Sequence, residues 1–112
     1  MKMAMMIVIV ATPVVACQQC RKLDPPKLAN SIYVVEGGAR ASSPYGIKSV
    51  RVKDHADARK VCINTIRNNY ARWTASGGKG CYLDFLADRY CPPTADRVGN
   101  RNWKKNIHKM EG

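Results

Sequence analysis

The chain has 112 residues, of which 19 are lysine or arginine and 8 are aspartate or glutamate, for a formal net charge of +11 at pH 7. This length accommodates one small domain and excludes the large cofactor-binding folds, such as Rossmann domains and TIM barrels, which need far more residues. The positive charge favours a polyanionic partner: a nucleic acid, an anionic lipid surface or an acidic cell-wall polymer.

The first residues have the features of a secretory signal peptide. A positive start precedes an apolar run that continues to Ala16 and is broken by Pro13. The run is shorter than the roughly 20 apolar residues of a transmembrane helix, and the small residues Val14 and Ala16 suit a cleavage site before Cys17. Three segments are therefore expected along the chain: a signal peptide (1–16), a polar tether (17–23) and one folded domain (24–112).

Five cysteines are an odd number for an exported protein. The string that ends at Cys17 also resembles a bacterial lipobox, in which the cysteine carries lipid. Lipidation of Cys17 leaves four cysteines that can form two disulfides in an oxidising compartment: Cys20, Cys62, Cys81 and Cys91. Plain secretion, with Cys17 and Cys20 paired or one thiol left unpaired, is the alternative.

We expect Cys62 and Cys91 to pair, because Cys62 lies on the apolar stripe of the longest predicted helix and Cys91 ends the next one. The spacing Cys17-x-x-Cys20 fits a zinc site, but no second cysteine or histidine pair follows. We therefore expect neither a metal nor another cofactor.

The first predicted helix begins at Asp24, whose side chain can cap it, with Pro25 in the first turn. Apolar residues recur every three or four positions up to Val35, and the glycine pair Gly37-Gly38 ends the helix. After a polar loop, the β-branched stretch 47–52 predicts a short strand or extended crossing.

Three further helices are predicted. Asp54 caps the longest, whose apolar stripe runs to Trp73. Pro92 stops the next helix after Tyr90, and Asn102 can cap the last, which carries Trp103 in its apolar stripe. The sequence thus predicts a mainly α fold with about four helices and one short extended or β segment after the first helix.

Glu36 stands in an electrostatically unfavourable position. A carboxylate at a helix C-terminus is repelled by the partial negative charge there, and burial beside Val35 would act in the same direction. Both effects favour the protonated carboxyl, the form in which a general acid works near neutral pH. From placement alone, a solvated glutamate at a helix end beside a flexible loop is the favoured interpretation, and Glu111 is expected in a frayed tail.

The residues around Glu36 resemble the lysozyme-like superfamily, and more narrowly lytic transglycosylases and phage-associated peptidoglycan hydrolases. The resemblance rests on Glu36-Gly37-Gly38 at a helix end and on Pro44-Tyr45-Gly46-Ile47 after a polar loop. It also rests on the stretch 82–93 followed by 99–103. This chain departs from the family pattern at Ser49, where the family has glutamine, and at Gly37, where transglycosylases usually have serine.

The resemblance implies an α+β lysozyme-like fold and an exported enzyme that cleaves MurNAc-GlcNAc β-1,4 bonds of peptidoglycan, with Glu36 as the catalytic acid and base. Substrate contacts are expected at four positions: Tyr45, Gly46, Ser49 and Tyr90. For Tyr90, core packing is an equal alternative. The stretch directly after Glu36 contains no second carboxylate of the kind that a hydrolytic lysozyme uses, which favours transglycosylation over hydrolysis.

A non-catalytic, cationic cell-wall-binding lipoprotein of the same fold is the alternative function. A nucleic-acid partner is disfavoured because the lysines and arginines are scattered along the chain and show no recognition motif. We expect a monomer that acts on peptidoglycan glycan strands in the periplasm or from a lipid anchor, with membrane contact only through a possible N-terminal lipid. Secretion of an unanchored protein is the alternative location.

Overall fold

The computed structural model describes residues 23–47 and 51–112. The expected signal peptide, Cys17, Cys20 and Ser49 lie outside the described residues. The described chain contains four α-helices: α1 (Pro25–Val35), α2 (His55–Ala75), α3 (Tyr82–Tyr90) and α4 (Arg97–Glu111). Two short 3₁₀ turns connect α1 to the segment before α2: Gly38–Arg40 and Pro44–Gly46.

The first two predicted helix starts are confirmed. The Asp24 side chain accepts a hydrogen bond from the Lys27 backbone N–H at 3.3 Å, and Asp54 accepts one from the Asp57 N–H at 2.8 Å. Each bond satisfies a backbone donor that the first helical turn leaves without a partner.

The predicted start of the last helix at Asn102 is wrong, since Asp96 caps α4 by accepting from the Gly99 N–H at 2.8 Å. The periodicity of apolar residues did not indicate the first turn of α4, because the buried side chain of that turn is polar. Asn100 is 5% exposed and donates to Asp88 Oδ1 at 2.9 Å and to the Cys91 carbonyl at 2.8 Å.

The prediction of a mainly α fold is confirmed, whereas the short β segment is not seen. Ile47, Arg51 and Val52 lie in neither helix nor strand, and 48–50 lies outside the described residues. Within residues 23–47 and 51–112, none of the helices has both the length and the apolar character needed to cross a membrane.

α1 and α3 each contact both α2 and α4. The second 3₁₀ turn packs against α1 and α2. The core is made of fully buried side chains from all four helices and this turn, among them Ile32, Tyr45, Ile66, Leu86 and Ile107. This packing brings the end of α1, the second 3₁₀ turn and α4 together.

The expected pairing of Cys62 with Cys91 is wrong, because both are free thiols. Cys62 Sγ lies in the core, 3.4 Å from the Tyr90 hydroxyl oxygen. Cys91 Sγ instead faces the start of α4, where a β-carbon on Gly99 would be 3.1 Å from it. Cys81 is disulfide-bonded, so its partner lies outside the described residues.

Candidate active site around Glu36

Glu36 directly follows the last residue of α1. Its backbone N–H donates to the Ile32 carbonyl at 2.9 Å, and the next two residues, Gly37 and Gly38, have φ angles of 111° and 60°. These left-handed angles favour glycine over residues with a β-carbon. The glycine pair therefore ends α1 at a fixed place and leaves Glu36, half-buried, at its C-terminal end.

The Glu36 carboxyl is held by Trp103 of α4. The Trp103 indole Nε1–H donates to Glu36 Oε2 at 2.8 Å, across 67 residues of sequence. Trp103 is 7% exposed, in agreement with its predicted place in the core. The hydrogen bond to Glu36 was not predicted, because an apolar stripe gives no sign of where an indole N–H points.

The second 3₁₀ turn brings Gly46 against the other side of the same carboxyl. A β-carbon at Gly46 would lie 2.6 Å from Glu36 Cδ and 2.7 Å from Oε1. Gly46 also has a φ of 67°, which again favours glycine. The structure thus places two of the predicted site residues, Glu36 and Gly46, in close contact.

Glu36 Oε1 accepts no hydrogen bond from the part of the chain that the structure describes. Within the described residues, one carboxyl oxygen is therefore fixed by a hydrogen-bond donor, and the other lies beside the Gly46 backbone. A half-buried carboxyl in this arrangement can donate a proton to a bound molecule or accept one from it.

Tyr90, a predicted substrate contact, is partly buried and packs against the core. Its ring stacks on the Trp103 ring with a centroid distance of 5.2 Å and an interplanar angle of 15°, and its hydroxyl is engaged with Cys62. Burial raises the pKa of the Tyr90 hydroxyl, and the nearby Cys62 and Glu36 side chains add to this effect. This placement matches the packing alternative for Tyr90.

Tyr45, the second tyrosine expected to touch substrate, is 2% exposed. Its hydroxyl lies 3.0 Å from His55 Nε2 and accepts from Arg59 Nη1 at 3.4 Å. Tyr45 also has a φ of 59°, which is unusual for a residue with a β-carbon. Tyr45 therefore anchors the turn that carries Gly46 to the start of α2.

His55 and Tyr33 complete an aromatic cluster with Tyr45. The Tyr33 ring centroid lies 5.1 Å from that of Tyr45 and 5.2 Å from that of His55. His55 is exposed at the start of α2, yet its ring contacts both tyrosines. The cluster depends on the path of the loop between α1 and α2, for which the sequence offers no periodic signal.

Cys81, Asp84 and His108 form a second group of polar side chains, on α3 and α4. His108 Nε2 lies 2.8 Å from Asp84 Oδ1 and 3.9 Å from Cys81 Sγ, a spacing within which a metal ion could be held. The Cys81 sulfur belongs to a disulfide and is not the thiolate that binds metals. The group does not fit a metal centre in this state.

Comparisons of the chain with protein-family models, with curated proteins and with solved structures find no match.

Proposed function

We propose that this protein is an exported lytic transglycosylase of lysozyme-like fold, which cleaves the MurNAc-GlcNAc β-1,4 bonds of peptidoglycan with Glu36 as its single acid and base. The observation that carries the proposal is the asymmetric environment of the Glu36 carboxyl. Its Oε2 is bonded to Trp103, while Oε1 lies beside the bare backbone of Gly46. A carboxyl fixed in this way presents one oxygen in a defined direction, as proton transfer requires.

The proposed reaction uses the Glu36 carboxyl twice. First, the proton of Glu36 moves to the glycosidic oxygen as the bond from that oxygen to C1 breaks, with the bonding electrons remaining on the oxygen. The resulting carboxylate then accepts the proton of the substrate's own 6-hydroxyl while that oxygen bonds to C1. The product is a 1,6-anhydro sugar, Glu36 is protonated again, and no second carboxylate is needed to activate water or to act as a nucleophile.

The charge of the chain supports an anionic polymer as the substrate. The net charge is +11, and three basic side chains of α4 are exposed at intervals of four residues: Arg97, Arg101 and Lys105. A surface of this kind raises the local concentration of a negatively charged cell wall around the protein, with an attraction that salt weakens.

The test compares wild-type protein with Glu36→Gln on purified peptidoglycan sacculi. We expect wild type to reduce the turbidity and to release 1,6-anhydro products that mass spectrometry identifies, and the Gln variant to release none while its circular dichroism is unchanged. Glu111→Gln, which alters the other glutamate of the chain, at the end of α4, is the matched control and should retain activity. Products with ordinary reducing ends, formed by the addition of water, would contradict transglycosylation. Binding of the protein to the cell wall without cleavage would favour the non-catalytic alternative.

Export and lipidation at Cys17 complete the proposal. Cys17→Ser should lose processing and palmitate labelling in a cell fractionation. A variant that is processed and found in the soluble periplasmic fraction, like wild type, would contradict lipidation.

A further inference from the structure

We infer that Trp103 is a positioning residue that assigns the transferable proton of Glu36 to Oε1. This inference rests on the proposed function. The indole N–H is a hydrogen-bond donor and has no acceptor counterpart, so at 2.8 Å Glu36 Oε2 must be the accepting oxygen. A proton on Oε2 directed at the indole would oppose this bond, and the carboxyl proton therefore resides on Oε1.

The surroundings of Oε1 fit this assignment. A β-carbon at position 46 would lie 2.7 Å from Glu36 Oε1, and Gly46 leaves that space empty. None of the described residues donates a hydrogen bond to this oxygen. The proton-bearing oxygen is thus the one that a glycosidic oxygen can approach, while the other oxygen is occupied by the protein.

The orientation of Trp103 is set by packing that does not involve Glu36. The Trp103 ring stacks on Tyr90 at 5.2 Å, and the Tyr90 hydroxyl is held by Cys62. The end of α4 is tied to α1 by a hydrogen bond from the Ser31 hydroxyl to the Glu111 carboxylate. Because the indole is pre-organised, removal of its N–H should affect the direction of proton transfer more than the fold.

The first arm of the test is Trp103→Phe, which keeps an aromatic ring on Tyr90 and removes the N–H. We expect kcat to fall by about 10- to 100-fold, with KM nearly unchanged. This is less than the roughly 10²- to 10⁴-fold that general acid–base catalysis contributes, because Glu36 itself is retained. The pH–activity profile of this variant should also differ from that of wild type, because the Glu36 carboxyl has lost a hydrogen-bond donor.

Trp73→Phe is the matched control. The Trp73 indole N–H donates to the Lys79 carbonyl at 3.1 Å, beyond the end of α2. Its loss should leave kcat, KM and the pH profile unchanged.

The second arm measures the hydrogen bond itself in the wild-type protein, independently of activity. The chain has two tryptophans, so an ¹H–¹⁵N spectrum shows two indole signals, which the two Phe variants assign. The Trp103 Nε1–H signal should shift with pH as Glu36 ionises and should stop doing so in Glu36→Gln, while the Trp73 signal should not depend on that substitution.

The outcomes separate the two claims. If wild type cleaves peptidoglycan but Trp103→Phe keeps its kcat and pH profile, or if the Trp103 signal does not titrate, the positioning role is overturned and the proposed function stands. If the signal titrates but wild type cleaves no glycan, the proposed function is overturned, and the positioning role falls with it.

Discussion

The backbone of Gly46 lies against the carboxyl of Glu36, so closely that a β-carbon at position 46 would be 2.6 Å from Glu36 Cδ. Atoms at that separation overlap, and either the turn or the carboxyl would have to move. Glycine at position 46 is therefore favoured by its φ of 67° and required by the side chain that it faces.

Gly46→Ala should displace the Glu36 side chain and remove most of the proposed lytic activity. The left-handed backbone alone costs about 1–2 kcal/mol for a residue with a β-carbon, and the overlap adds about 1–3 kcal/mol, as overpacking commonly does. Chemical denaturation and the sacculus assay measure the two effects. Gly80→Ala is the matched control, because Gly80 has a φ of 76° but nothing within 4 Å of a β-carbon. Equal effects of the two substitutions would contradict the close packing of Gly46 on Glu36.

Ser31→Ala should destabilise the protein by about 1 kcal/mol, because it removes a hydrogen bond from a hydroxyl that is 5% exposed. The bond joins α1 to the last turn of α4, where the sequence analysis expected Glu111 in a frayed tail. Hydrogen exchange at the end of α4 should rise in parallel. Ser42→Ala, at an exposed position of the loop, serves as the control. A double-mutant cycle with Glu111→Ala that shows no coupling would refute the contact.

Thiol labelling should distinguish three of the cysteines. Cys91 is half-buried and should react with a maleimide reagent in the native protein. Cys62, at 0% exposure, should react only on unfolding, and Cys81 only after reduction, because it is disulfide-bonded. Peptide mapping by mass spectrometry reads out each site. A disulfide-linked peptide that contains Cys62 and Cys91 would show that the two residues pair, in contradiction to the structure.

The free energy of unfolding should fall as the pH rises above about 8.5, the ordinary pKa of a cysteine thiol. Burial raises the pKa of Cys62 and of Tyr90 in the folded state. At alkaline pH the unfolded chain therefore ionises first, so stability is complete below the ordinary pKa values and is lost as pH rises towards the raised ones. Denaturation at a series of pH values measures the slope. In Cys62→Ala, the free energy of unfolding should depend less on pH near pH 9. The same pH dependence as in wild type would count against the burial of this thiol.

Local chemistry made some helix starts predictable. Asp24 and Asp54 each bond to a backbone N–H three residues ahead, so the signal lies within one turn of the sequence. The same reasoning failed at Asn102, because the true first turn of α4 buries Asn100 through polar contacts to Asp88 and Cys91. The periodicity of apolar residues cannot indicate a buried side chain that is polar.

By itself, the sequence determined the mainly helical fold, the end of α1 at a glycine pair and the placement of Glu36 beside it, because helix periodicity, capping and backbone freedom act over a few residues. Only the tertiary structure decided what Glu36 touches. Trp103 approaches it across 67 residues, Tyr90 turns inward to stack on Trp103, and Cys62 faces Tyr90 rather than Cys91. These contacts depend on how the four described helices pack and on the direction of each side chain within that packing, and neither is encoded in any local pattern.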